Sequence, residues 1–294
     1  MILVTTPTGH IGSQLIPHLL AAGEKVRVIA RDPAKLAPGI REAVEVVQGS
    51  ADDVAVVDKA FQGAESVFWV VPPHFQTRDV YRYYLDFTGP AASAIKTHGV
   101  KRVVSVSSLG RERGIDAGVV TASYQKDALL ESTGAHFRAL WCPGFMENVL
   151  MQVEPLKHKG MYFAPAKGDL KNPHVATRDI AASGAKLLLD KSWTGKGGLA
   201  VLGPEDLSEN EKAAILSDVL GKPIRFQSIP GSAYKDSLMG FGASEAMAQS
   251  LVVMHAAIDE GLYSDVARNA ENTTPTSFRQ WCQQVLVPVL KNAA

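Results

Sequence analysis

The sequence predicts an α/β protein: a doubly wound parallel sheet of the Rossmann type, followed by a smaller mixed α/β domain. Three observations carry that prediction. Over residues 1–150 short apolar runs alternate with longer amphipathic stretches, as parallel strands alternate with crossover helices. The runs are near-continuously apolar, which suits a sheet covered on both faces. The first run also passes straight into a glycine-bearing turn, Thr6-Pro7-Thr8-Gly9-His10-Ile11-Gly12, that opens an amphipathic stretch.

In order, strands are expected at Met1–Thr5, Lys25–Ala30, Val44–Gln48, Ser66–Val71, Arg102–Ser107 and His136–Cys142, with helices in the gaps. Glycines recur just before the later strands, as Gly23 does after the first helix, where a helix ends in left-handed backbone. Residues 1–150 read as an NAD(P)-binding domain and 151–294 as a smaller substrate-binding one. Past Gly144 the pattern loosens. Asp179–Leu189 reads as a helix, Gly198–Leu202 as a strand and Ser208–Leu220 as a helix ended by Gly221 and Pro223. Segments between about 175 and 202 are expected to return onto the first domain. Tyr234–Gly261 reads as helical, and a last helix begins near Pro275 and runs through Trp281.

The 294 residues suffice for one large unit with a smaller cap. Thirty basic and thirty acidic side chains cancel, which excludes a strong pull toward nucleic acid or an anionic membrane. The two cysteines, Cys142 and Cys282, make neither a disulfide framework nor a metal-type spacing, and no metal site is expected. A reducing, cytoplasmic setting follows. The first apolar run lacks the basic flank and cleavage region of a signal peptide, and no apolar run approaches the ~18 residues that span a bilayer.

In the glycine turn, Gly9 lets backbone approach a pyrophosphate and Gly12 lets helix pack closely on strand, with phosphate at the helix N-terminus. Thr6 stands where such turns carry their first glycine, and Pro7 removes an amide donor. The turn therefore reads either as a cofactor cradle with looser binding or as a strand–helix turn without a ligand. After the second strand comes Ala30-Arg31-Asp32. Arg31, with Lys35 beyond it, offers a guanidinium fork and an ammonium to a 2′-phosphate, which favours NADPH. Asp32 keeps NADH open, and a plain solvated turn is the bland alternative.

The glycine turn, Arg31-Asp32-Pro33-Ala34-Lys35, Gly110 after Ser107-Ser108, Pro143-Gly144-Phe145-Met146-Glu147-Asn148, Thr177-Arg178-Asp179-Ile180-Ala181 and Pro275-Thr276-Ser277-Phe278 together resemble the NmrA-like family of atypical short-chain dehydrogenases/reductases. The resemblance covers nearly the whole chain. It implies that Thr6, Thr8, Gly9, His10, Ile11, Gly12, Arg31 and Lys35 hold the diphosphate and adenosine end. It also implies that Val71, Pro72, Pro73, Ser107, Lys126, Pro143, Gly144 and Phe145 line the nicotinamide end. Ser50 departs from the aspartate such folds often use near adenine.

Short-chain dehydrogenases generally pair a tyrosine with a lysine four residues later, on one helix face. Here Ala122 precedes Lys126 by four and Tyr124 by two, so Tyr124 is expected to anchor the helix by packing and not to donate a proton. Lys126 is expected to position the nicotinamide ribose. Ser107 and Ser108 either meet substrate or satisfy backbone. His10 reads as a phosphate neighbour, while His74, His174 and His255 show no acid–base partner. Two functions of different class follow. One is an NADPH-dependent reductase of a small apolar or aromatic acceptor (quinone-like, or imine, azo or enone), whose stabilised reduced anion needs little acid help. Phe145, Met146, Tyr162, Phe163, Met239, Phe241 and Met254 are candidates to line its pocket, though a core role suits most of them. The other is a dinucleotide sensor that binds a regulatory partner protein. Homodimerisation is left open.

Overall fold

A computed structural model describes residues 1–292. Strands β1 (Ile2–Val4), β2 (Val26–Ala30), β3 (Glu45–Gln48), β4 (Ser66–Trp69), β5 (Arg102–Ser108) and β6 (His136–Cys142), with β10 (Lys196–Ala200) further on, form one parallel sheet ordered β10-β6-β5-β4-β1-β2-β3. The chain winds outward from β1 to β3, then crosses back to place β4 on the other side of β1, with Ile2 opposite both Val26 and Ser66. That reversal creates a crevice beyond the carboxyl ends of β1 and β4, where open α/β sheets take their ligands.

Alternate strand residues go to opposite faces. Val4, Val28, Phe68, Val104 and Leu140 pack with helices α1 (Gly12–Ala21) and α7 (Thr177–Leu189). Leu3, Val67, Trp69, Val103 and Phe137 pack with α3 (Val54–Phe61) and α4 (Val80–His98). Most of these side chains are completely buried, and each contributes roughly 1.5–3 kcal/mol through the area it removes from water. Helix α2 (Pro38–Ala43) links β2 to β3, and α5 (Val119–Glu131) packs on α4 and β5.

The cap is built from β7 (Gly144–Phe145), β9 (Asn172–Val175) and β11 (Asp206–Leu207) in one small sheet and from β8 (Met161–Ala164) and β12 (Arg225–Ser228) in another. Around them lie α6 (Val153–Lys159), α8 (Glu209–Leu220), α9 (Gly231–Gly240), α10 (Glu245–Asp259), α11 (Phe278–Trp281), a π-turn over Cys282–Leu286 and α12 (Val287–Asn292). Between the cap strands the chain goes back to the large sheet: α7 packs on α1, and β10 pairs with β6 from Lys196 opposite Phe137 to Ala200 opposite Trp141. Gly198 makes that pairing fit, since a β-carbon there would lie 2.3 Å from the Trp141 ring.

Several boundaries move, each for a local reason. β4 stops at Trp69 because the Val70 amide donates to the Thr5 hydroxyl, 3.0 Å away, and leaves the ladder. β10 runs from Lys196 to Ala200, not Gly198–Leu202, because the Leu202 amide bonds to the Asn272 carbonyl. The stretch Tyr234–Gly261 is not one helix. Gly242, at φ +91°, turns the chain, and Ser244 caps a fresh helix by accepting from the Met247 amide. The last helix starts at Phe278, behind a reciprocal Ser277–Gln280 capping box.

Candidate cofactor and substrate site

The β1–α1 turn is held by its own backbone. Thr6 adopts φ +50°, the one positive φ at a non-glycine residue among those described, and its carbonyl accepts from the Gly9 amide at 3.1 Å. A threonine therefore occupies the left-handed conformation that glycine takes without penalty, at a cost of roughly 1–2 kcal/mol. The Thr6 carbonyl folds so far inward that a β-carbon on Gly12 would lie 2.3 Å from it. Gly12 is thus required by the turn itself. Thr8, Gly9 and His10 are exposed along the rim, whereas the Ile11 side chain is 7% exposed and belongs to the core, leaving only its backbone for a ligand.

At the end of β2, Arg31 and Lys35 are exposed. Asp32 accepts from the Ala34 amide at 3.1 Å and caps the short turn Pro33–Lys35. The acid that would meet ribose hydroxyls is engaged in its own turn, and among the described residues the Arg31 guanidinium makes no ion pair. Tyr83 on α4 lies beside this corner and was not singled out from the sequence. Its hydroxyl donates to the Pro72 carbonyl at 2.8 Å. Burial, with the nearby Asp52 charge, pushes its pKa up to about 12 against the opposing pull of Arg31. Asp52, two residues after Ser50, is the acid that this corner contains.

Val71, Pro72 and Pro73 leave the end of β4, Ser107 ends β5, and Pro143, Gly144 and Phe145 leave β6, so the three strands deliver the expected nicotinamide-end residues to one edge of the sheet. The two side chains expected to carry chemistry behave differently. Lys126 is 1% exposed, and its ammonium donates to Ser105 Oγ at 2.7 Å and Asp127 Oδ1 at 2.5 Å, so it is committed to protein partners. Burial lowers its pKa, with Asp127 opposing. Ser107 Oγ is buried with no hydrogen-bond partner. Such an orphan hydroxyl costs ~1–3 kcal/mol unless a ligand meets it.

Tyr124 donates its hydroxyl to the Leu109 carbonyl and shares Ser108 with the buried Tyr263. With its proton committed to backbone it is an anchor, as the helix geometry suggests. Of the aromatic and methionine candidates, Met146 and Tyr162 lie in the cap's core, while Phe241, at 91% exposed, protrudes. A hollow of about 380 Å³ bordered by Gly99, Arg102 and His136 lies at the amino ends of β5 and β6, away from this chemistry.

The remaining sequence motifs prove to be joints. Glu147 accepts from the Thr177 amide (3.0 Å), the Thr177 hydroxyl (2.7 Å) and Trp281 Nε1 (3.1 Å), while Gln14 on α1 donates to the same Thr177 hydroxyl. Asp179 accepts from the amide and hydroxyl of Thr276. Thus Pro143–Asn148, Thr177–Ala181 and Pro275–Phe278 are tied to one another and to the helix that carries the glycine turn.

A parallel doubly wound sheet with a glycine turn at its switch point and a cap over its carboxyl edge defines the dinucleotide-binding α/β class. Within that class the chain belongs to the NmrA-like family, whose model matches residues 1–281. It is 31% identical over 241 residues to a (4-alkanoyl-5-oxo-2,5-dihydrofuran-3-yl)methyl phosphate reductase of Streptomyces griseus, covering 81% of this chain and 80% of the relative. It is 27% identical over 259 residues to an NAD(P)H azoreductase of Xenophilus azovorans, covering 87% and 86%. Its fold matches the crystal structure of an NADPH-dependent quinone oxidoreductase from Escherichia coli complexed with NADPH, with a TM-score of 0.81 at 21% identity, covering 97% of this chain and 100% of that one.

Proposed function

We propose that this protein is an NADPH-dependent oxidoreductase whose hydride acceptor is a small apolar or aromatic molecule with a stabilised reduced anion: quinone-like, or an imine, azo compound or enone. The observation that carries this is that Ala122 stands at the usual acid position, four residues before Lys126, while Tyr124 is committed to the Leu109 carbonyl and Lys126 to Asp127 and Ser105. A site without an exposed acid suits an acceptor that accumulates negative charge safely and takes its proton from water. The reductases, azoreductase and quinone oxidoreductase among the relatives support the same reading.

The residues present fit the dinucleotide. The Thr6–Gly12 turn forms a tight cradle, Arg31 is unpaired beside a capped Asp32, and Ser107 carries an orphan hydroxyl at the sheet's edge. When bound, NADPH supplies the hydride. The turn and the N-terminus of α1 hold the diphosphate, and Arg31 and Lys35 take the 2′-phosphate. Val71–Pro73 and Pro143–Phe145 border the nicotinamide end and exclude water from it. Lys126 is a positioning residue: its ammonium and the Asp127 carboxylate beside it both bond to Ser105 and so fasten α5 to β5.

The test is oxidation of NADPH, followed at the reduced-nicotinamide band, with quinone, azo and enone acceptors. Arg31→Ala should weaken NADPH ~10-fold, or about 1.4 kcal/mol, while leaving NADH nearly unchanged. Binding without oxidation across all acceptor classes would replace the reductase by a dinucleotide sensor.

A further inference from the structure

The cap holds a polar cluster that the reaction described above does not use. His174 stands on β9 with its ring against Gly144, where a β-carbon would lie 3.5 Å from Cδ2 and 3.8 Å from Nε2. Its Nδ1 lies 3.0 Å from the Asn172 carbonyl, which can only accept, so Nδ1 carries the proton and Nε2 accepts from Lys212 Nζ at 3.0 Å. Lys212 also donates to Glu209 Oε1 at 2.7 Å, and the Tyr162 hydroxyl is shared between the Glu209 main-chain carbonyl at 2.6 Å and the other carboxylate oxygen at 2.9 Å. His255 on α10 lies within the field of Glu209 and Lys212, and Tyr234 on α9 meets its ring edge-on at 5.3 Å.

Five elements thus place an ammonium, two imidazoles and two phenols around one carboxylate. Both carboxylate oxygens are occupied, and Glu209 sits in the first turn of α8, where the helix dipole offsets its charge. Two of the three ammonium protons are used; among the described residues the third has no acceptor. A buried ion pair of this kind adds little stability over apolar packing. His174, Glu209, His255 and Tyr234 are half-buried around Lys212, which is 6% exposed, and His174 adjoins the Gly144–Phe145 strand.

We propose that this cluster is the polar end of the acceptor pocket and binds an anionic substituent of the acceptor, a carboxylate, sulfonate or phosphate, through Lys212 and His255. The identity of the ligand as an acceptor rests on the reductase reading; the anion site does not. The test is calorimetric titration of the protein, saturated with NADP⁺, with naphthalene-2-sulfonate and with the neutral naphthalene-2-sulfonamide. The sulfonate should bind at least ~10-fold more tightly, Lys212→Met should bring the ratio near one, and His255→Gln should reduce it in a fold undisturbed at Lys212. Equal wild-type affinities, or a preference that survives Lys212→Met, overturn the proposal. Because the readout is binding, a sulfonate preference without turnover upholds the subsite while removing the reductase, and turnover without preference does the reverse.

Discussion

Replacing Glu147 by glutamine tests whether the sequence motifs act as a joint. Glu147 Oε1 accepts from the Thr177 hydroxyl and from Trp281, and the Thr177 amide is shared between Oε2 at 3.0 Å and Oε1 at 3.2 Å. A glutamine oxygen placed at Oε1 keeps the first two but without charge, a loss of roughly 1 kcal/mol each. Its NH2 group then faces the Thr177 N–H, which keeps only its longer 3.2 Å contact to the remaining oxygen, for ~0.5–1.5 kcal/mol more. The expected total is about 2.5–3.5 kcal/mol, read as a shift in the urea midpoint at unchanged slope. Thr177→Val provides the cross-check. If Glu147 and Thr177 are bonded as described, the double variant should lose less than the sum of the singles by about 1–2 kcal/mol. A Glu147→Gln loss below ~0.5 kcal/mol, or strict additivity, refutes the joint.

Tyr124→Phe should leave NADPH oxidation within a few-fold of wild type and cost ~0.5–1.5 kcal/mol of stability, the net worth of one hydrogen bond; a drop of two or more orders in kcat would make Tyr124 the proton donor after all. His174 carries a pH dependence. Burial first, then the Lys212 cation, hold its pKa near about 3, below the ordinary 6.5, with Glu209 and Asp206 opposing. The neutral ring is the favoured folded form, so its contribution is complete above pH 6.5 and is lost as pH falls from 6.5 toward 3. Between pH 7 and pH 5 the stability gap between wild type and His174→Asn should narrow by up to about 2 kcal/mol, at ~1.4 kcal/mol per unit below 6.5. A constant gap would refute it.

The large sheet was legible because its signal is local. A buried parallel strand must be apolar along its length, and a βα turn must carry glycines, so His136–Cys142 coincides with its expected bounds and the others differ by only a residue or two. The cap was less legible, since strands of two to four residues such as β7, β9 and β11 carry too little periodicity to register. Gly240, Gly242 and Ser244 did offer a break signal in the Tyr234–Gly261 stretch that a helical reading passed over. At the candidate site, the sequence could place residues at the carboxyl ends of β4, β5 and β6 but not give the surroundings of their side chains. Lys126 is buried against its neighbour Asp127 and against Ser105, which the packing of α5 on β5 brings to it, a contact no spacing rule encodes. The His174–Lys212 pair joins residues 38 apart and the Tyr83 corner depends on α4 meeting the β4 loop; both are products of the fold.

The Glu147–Thr177–Trp281 junction has a taxonomic consequence. Glu147, Thr177, Asp179 and Thr276, drawn from three of the motifs that carry the family likeness, fasten cap to base. A search keyed to those motifs therefore recognises a joint of the scaffold, and the proposed anion cluster at His174, Lys212 and His255 is built from residues outside it.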